Sequence, residues 1–254
     1  MSLRRFRRAV ALGFEIILSI LRFQMLRLSG PLTLERRVSW VQQTACKMLE
    51  SLDIEYSVDG QPPTHGLVVC NHLSYIDILV LSAAMPCFFV AKIEIGGWPF
   101  FGKAARCGGT IFVDRSSLAS AQSVAEQMTE RLQLPIPIPV LLFPEGTSTD
   151  GSEVIRFHSR LIDPATKLRV PITTAAVRYT VADGTPEIEL CWYGDETFVN
   201  HLWKVLGVGG FEADLRFGES RVYTDRRRAA DETWAEVTAM REESAVGQSL
   251  VVSG

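Results

Sequence analysis

Hydrophobic positions along this chain keep switching between two periods. In residues 36–52, RRVSWVQQTACKMLESL, apolar side chains at Val38, Val41, Ala45, Met48 and Leu52 recur every three or four positions, the mark of a helix with one buried face. Short apolar runs follow: GLVVCN (66–71), CFFVAKI (87–93), GTIFVDR (109–115), IPVLLFP (138–144), RVPITTAAVRY (169–179), PEIELCWYG (186–194) and FEADLRFG (211–218). Helical patterns lie between them over 74–84, 117–133, 196–206 and 225–243. Strands that are mostly apolar and alternate with helices predict an α/β fold, a single domain whose mixed, largely parallel central sheet of about seven strands is flanked by helices. The domain is expected over 36–243, preceded by a separate N-terminal segment (1–35) and followed by a flexible tail (244–254).

Charge changes the picture at the N-terminus. The whole chain carries −3, without the basic excess that duplex nucleic acid requires, so no nucleic-acid partner is expected. Residues 1–37 nevertheless hold eight arginines (4, 5, 7, 8, 22, 27, 36, 37) against Glu15 and Glu35, a local +6 that leaves −9 elsewhere. Between these clusters AVALGFEIILSIL (9–21) has ten apolar residues in thirteen, short of the ~18 to 20 that span a bilayer. Glu15 interrupts the stretch and no small-residue cleavage site follows, so a cleaved signal peptide is not expected. The pattern predicts an amphipathic membrane-association helix, with Phe14, Ile17, Leu18 and Leu21 in the acyl boundary and Arg4, Arg5, Arg7 and Arg8 on anionic headgroups. The alternative is a helix packed on its own domain. Five cysteines without a C-x-x-C suggest neither disulfides nor zinc and fit a reducing compartment.

Candidate chemistry gathers at strand ends. In LVVCNHLSYIDI (67–78) an apolar run delivers Asn71 and His72, and Ser74 to Asp77 has the spacing of a capping box, with Ser74 as N-cap. A carboxylate that accepts from one ring nitrogen of His72 fixes the tautomer and raises the basicity of the other nitrogen, which is general-base chemistry. The plainer reading is a cap beside a polar strand end. VLLFPEGTSTDG (140–151) likewise ends an apolar run in Glu145, Gly146 and Thr147, and the run 109–115 delivers Asp114 and Arg115. In open α/β sheets ligands sit outside the carboxyl ends of the strands, where such residues meet. Each run is equally readable as an ordinary turn or a solvated strand end.

These pieces together resemble the glycerolipid acyltransferase family, whose best-known members are the 1-acylglycerol-3-phosphate acyltransferases. The family's N-H-x-x-x-x-D motif is similar to Asn71 through Asp77, and its F-P-E-G-T motif to Phe143 through Thr147. A Gly-to-Arg strand motif is matched by Gly109 through Arg115, and a Val-Pro strand by Val170-Pro171-Ile172, so four motifs fall in family order within 66–180. The resemblance implies transfer of a fatty acyl group from acyl-CoA or acyl carrier protein to the free hydroxyl of a lysolipid, foremost 1-acylglycerol-3-phosphate. His72 would be the base and Asp77 its orienting partner. Arg115, Glu145, Gly146 and Thr147 would hold the acceptor headgroup, Asn71 would support the loop and Pro171 would shape the pocket wall. No metal or redox cofactor is implied, and the protein would sit on membrane lipids at the cytoplasmic face of the inner membrane.

One departure bears on the acceptor. Where the family often has Phe-Lys-x-Gly, this chain reads Phe157-His158-Ser159-Arg160. Arg156 or Arg160 would then supply the missing cation, or the acceptor has another headgroup, such as lyso-ornithine lipid or lysophosphatidylcholine. Among rivals, Gly97 to Ala104 has the glycine and lysine spacing of a phosphate loop but lacks its hydroxyl residue and carries a bulky interior. No G-x-S-x-G marks a serine nucleophile. Cys70 shares a strand face with His72, so a cysteine acyl-enzyme stays open, as does a lipid-binding protein without turnover.

Overall fold

The computed structural model describes residues 3–98, 100–114 and 118–249. Its elements run α1 (Leu3–Leu28), α2 (Leu34–Ser51), β1 (Ile54–Asp59), β2 (Leu67–Cys70), α3 (Ile76–Ala84), β3 (Phe88–Lys92), α4 (Phe101–Cys107), β4 (Ile111–Val113), α5 (Leu118–Leu132), β5 (Val140–Leu142), α6 (Ser159–Leu168), β6 (Pro171–Val181), α7 (Phe198–Val205), β7 (Phe211–Phe217), β8 (Arg221–Val222) and α8 (Arg226–Ser249). Short 3₁₀ turns occupy Ile93–Gly97 and Glu187–Leu190. The strands form one eight-stranded sheet in the order β1-β7-β6-β2-β5-β3-β4, with β8 beside β6. All pairs are parallel except β6 with β7 and β6 with β8.

Alternation along the strands divides the core in two. Val68, Cys70, Phe89, Leu141, Val177 and Tyr179 face one cluster with helices α1, α2 and α3. Leu67, Val69, Phe88, Val140 and Leu142 face the other, which α8 closes with Ala229, Ala230 and Val237. The mixed, helix-flanked sheet is therefore as the periodicity predicted. The run 186–194 is not a strand, however. It folds as a 3₁₀ turn in which the Glu187 carboxylate accepts the Tyr179 N–H at 2.8 Å, so a side chain takes the place that a paired strand would fill. Two strands were missed: β1, whose pattern has only Ile54 buried, and the two-residue β8. Of the expected flexible tail, residues 244–249 continue α8, and the rest lie outside the described residues.

The N-terminal segment is one helix of 26 residues, longer than its apolar centre suggested and long and apolar enough, by length and composition alone, to cross a membrane. The helix has one buried and one exposed face. Leu12, Glu15 and Ser19 are buried, with Ser19 bonded to Thr44 at 2.7 Å and its carbonyl accepting from Trp40 Nε1. Phe6, Val10, Phe14, Ile17, Leu21, Met25 and Leu28 form an exposed stripe on the other side. The arginines correct the sequence reading. Arg7 and Arg8 bind Asp53, Arg8 also reaches the Val205 and Val208 carbonyls, Arg4 reaches the Gly207 carbonyl, and Arg5 lies over the Trp203 ring. Arg4 and Arg8 thus reach carbonyls at the C-terminal end of α7, which carry partial negative charge, and of the four only Arg8 is buried, while Arg4 and Arg7 stay exposed.

Candidate active site

His72 and Asp77 meet where β2 ends. His72 Nδ1 lies 2.8 Å from Asp77 Oδ2, and the same oxygen accepts the Leu73 and Ser74 N–H groups at 2.7 and 3.0 Å. The bond to Ser74 N–H is the carboxylate half of the expected capping box. The other half is shifted, because Ser74 Oγ accepts from Ile76 N–H and the helix starts at Ile76. Asp77 is fully buried, while the His72 side chain keeps 18% exposure and stacks on Phe143 at 4.0 Å. With Nδ1 tied to the carboxylate, Nε2 is the nitrogen left to take a proton from an arriving hydroxyl.

Glu145 comes from the end of the neighbouring strand β5. Its Oε1 accepts the His72 N–H at 2.6 Å and its Oε2 accepts the Ile155 N–H at 2.8 Å. Burial, opposed by those two donors, pushes the carboxyl up to about 7. Thr149 completes the link by donating its N–H to the His72 carbonyl at 2.9 Å. Gly146 turns the chain at φ +79°, a conformation that favours glycine, and leaves Thr147 exposed at the rim.

Several expected substrate contacts are thus bracing contacts. Both oxygens of Glu145 go to backbone amides. Asn71 is buried, with its amide exchanging two bonds with the Val177 N–H and carbonyl at 2.8 and 3.1 Å, so it holds the loop and presents nothing to a ligand. Pro171 is misplaced as a pocket wall. It opens β6 beside Gly66, six residues before the Val177 that Asn71 touches, which puts it roughly 20 Å away at the opposite end of the sheet. Arg156 stacks on Trp234 at 3.5 Å and lies 3.7 Å from Asp231. Arg160 is exposed on the first turn of α6 with no ion pair among the described residues, two residues after His158 N–H meets the Pro144 carbonyl. Arg115 lies outside the described residues. Cys70 is sealed in the core, and burial raises its thiol well above the ordinary range, so it is no accessible nucleophile.

Three residues of this region escaped the sequence reading. Tyr179 donates its hydroxyl to Asp77 Oδ1, Glu187 takes the Tyr179 N–H, and Arg241 from α8 pairs with both Glu187 oxygens at 2.9 and 3.0 Å. A tyrosine on an otherwise apolar strand face was the one available signal. Where β2 stops, the unpaired edge of β6 is closed by Asn71, Glu187 and Arg241, which opens the cleft without orphaning backbone groups. Beside this cleft lies an apolar cavity lined by residues that include Tyr75, Trp98, Phe198, Trp40, Gly108 and Thr110. Tyr75 is three residues from His72, and Trp192 N–H holds the Leu73 carbonyl at 2.8 Å. Among the described residues no three His, Cys, Asp or Glu side chains converge as a metal set.

Comparison with known proteins bears on this arrangement. A family model described as Acyltransferase matches residues 54–178. The chain is similar to a lyso-ornithine lipid O-acyltransferase of Rhodobacter capsulatus, 37% identical over 62% of this chain and 58% of that one. It is 31% identical to a protein of the same description from Brucella abortus, over 72% of this chain and 74% of the relative. A 1-acyl-sn-glycerol-3-phosphate acyltransferase of Neisseria meningitidis is 30% identical over 63% of each. The matches span only 58% and 61% of the Rhodobacter capsulatus and Pseudomonas aeruginosa relatives. In fold, the chain is similar to the crystal structure of the lysophosphatidate acyltransferase of Thermotoga maritima, with a TM-score of 0.69 and 16% identity over 96% of this chain and 98% of that one.

Proposed function

The chain belongs to the acyltransferase family, and on that premise we propose that it moves a fatty acyl group from a thioester, acyl-CoA or acyl carrier protein, to the hydroxyl of a lysolipid. The observation that carries the proposal is the 2.8 Å contact of His72 with a fully buried Asp77 in a loop that also lines the apolar cavity. His72 Nε2 takes the acceptor hydroxyl's proton as the oxygen attacks the thioester carbonyl. Asp77 stabilises the imidazolium. The tetrahedral intermediate then expels the thiolate, which takes that proton back and leaves as a thiol. The acyl tail lies in the cavity. Every bond change is heterolytic at an already activated carbonyl, so the scheme needs no metal or redox group.

For the acceptor, 1-acylglycerol-3-phosphate and lyso-ornithine lipid are both candidates, since relatives described by each reach 37% identity; Arg156, one of the two substitutes for the family's usual cation, is engaged by Trp234 and Asp231, and Arg160 is exposed. Membrane lipids hold the protein through the α1 stripe. Arginines at both ends of the apolar stretch of α1, together with five free cysteines, support a position on the cytoplasmic face. The test is thiol release from acyl-CoA, then from acyl carrier protein, in mixed micelles with each lysolipid offered separately. Acceptor-dependent release that falls about 10²- to 10⁴-fold in His72→Ala supports the scheme. Undiminished release in that variant removes His72 from the chemistry.

A further inference from the structure

The Asp77 carboxylate has a partner on its far side that the transfer scheme does not use. Oδ2 takes His72 Nδ1 and two backbone N–H groups, while Oδ1 takes only the Tyr179 hydroxyl among the described residues. We propose that Tyr179 is a positioning residue of the acyl-transfer site, fixing the plane of the Asp77 carboxylate, and that Arg241 of the C-terminal helix holds Tyr179 in place through Glu187. The proposal rests on His72 and Asp77 being the general-base pair.

The geometry forms a continuous tie. Turning the carboxylate about its Cβ–Cγ bond would pull both oxygens off their donors, so the phenol on Oδ1 adds a hold on the far side to the three donors on Oδ2. Tyr179 is buried, and burial together with the Asp77 charge drives the phenol well above its ordinary value, so it remains a donor. Its strand position is set by Glu187, whose Oε1 accepts the Tyr179 N–H at 2.8 Å. Arg241 grips both oxygens of Glu187 and also donates to the Val177 carbonyl at 3.0 Å and the Gly151 carbonyl at 2.6 Å. Gly151 N–H is in turn held by Thr149 Oγ1, and Thr149 N–H binds the His72 carbonyl. Both halves of the dyad therefore lead back to one guanidinium, Asp77 through Tyr179 and His72 through the loop after β5. A fixed carboxylate keeps Nδ1–H in one direction and so aims Nε2 at the acceptor hydroxyl as the ring gains charge.

Tyr179→Phe keeps the ring and removes the donor. The full-length variant in micelles is expected to melt near the wild type, to lose about 10- to 100-fold in kcat, and to keep its KM for donor and acceptor. In spectra of the substrate-free protein, the downfield Nδ1–H proton of His72 shifts. Wild-type kcat in Tyr179→Phe, or an unmoved His72 resonance, overturns the proposal. Arg241→Lys keeps the charge but loses the two-pronged grip, so it should lower kcat less and shift the same resonance; it reads the tie should Tyr179→Phe fail to fold. His72→Ala, measured alongside, separates the two readings. Full turnover there defeats the general-base scheme, whereas the His72 resonance reports the tie without any turnover.

Discussion

Glu145 sits beneath His72 with both oxygens on backbone amides, and burial sets its carboxyl at about 7. Its folded value therefore lies above the 4.5 of a free glutamate, so the folded state binds the proton more tightly. The stabilisation that follows is complete below pH 4.5 and is lost as pH rises through 7. A shift of that size corresponds to about 3 kcal/mol. Denaturant unfolding of the wild type between pH 4.5 and 8, compared with Glu145→Gln, should show the wild type losing most of that difference; parallel curves would contradict the assignment. Catalysis runs the other way. A protonated Glu145 accepts more weakly from the His72 and Ile155 N–H groups, so the brace under the base weakens as pH falls below 7. At this scale the sequence exposed His72, Asp77 and Glu145, because their motifs are contiguous. It hid Tyr179 and Arg241, which reach the site from 102 and more residues away.

Helix α1 has two faces with separable consequences. Arg8 is buried and donates to Asp53 and to the Val205 and Val208 carbonyls, so Arg8→Met removes a shared buried donor, Asp53 keeping only Arg7 among the described residues, and should lower stability by about 1 to 3 kcal/mol in a melt, with vesicle binding preserved in the folded fraction. Ile17 stands on the outer stripe. Ile17→Glu should weaken binding to anionic vesicles about tenfold or more in sedimentation while leaving the melt unchanged. Equal behaviour of the two variants would mean that the faces are not distinct. The sequence showed the apolar stripe by its period, whereas the arginines' partners come from α7 and the end of α2, contacts that no local pattern encodes. The same limit explains residues 186–194. Their alternation imitates a strand, whereas the N–H of Tyr179, eight residues earlier, and the distant Arg241 hold Glu187 in a turn.

On the scale of the whole molecule, the sheet ends, the helical layer and the apolar cavity combine into one constraint on substrate. The catalytic loop supplies Tyr75 to the cavity lining, α2 supplies Trp40, and α4 with the residue after it supplies Ala104, Ala105 and Gly108. Trp40 is fixed by its bond to the Ser19 carbonyl and by Phe23 at 4.7 Å, so the wall there does not yield easily. An acyl chain whose thioester lies at His72 therefore has a bounded depth to fill, and each methylene excluded costs about 0.8 kcal/mol, close to fourfold in kcat/KM. Ala105→Phe inserts a ring into that depth. Measured over a series of acyl thioesters, it should cut kcat/KM for the longest chains about 10²-fold while short chains react as before, moving the optimum to shorter donors. A uniform loss across all lengths would instead mean that the ring disturbs the fold or the mouth, and the cavity would no longer account for chain selection. Because Ala105 lies on α4, away from the dyad, the length profile and the response to His72→Ala are independent, and together they decide whether the cavity and the base serve one reaction.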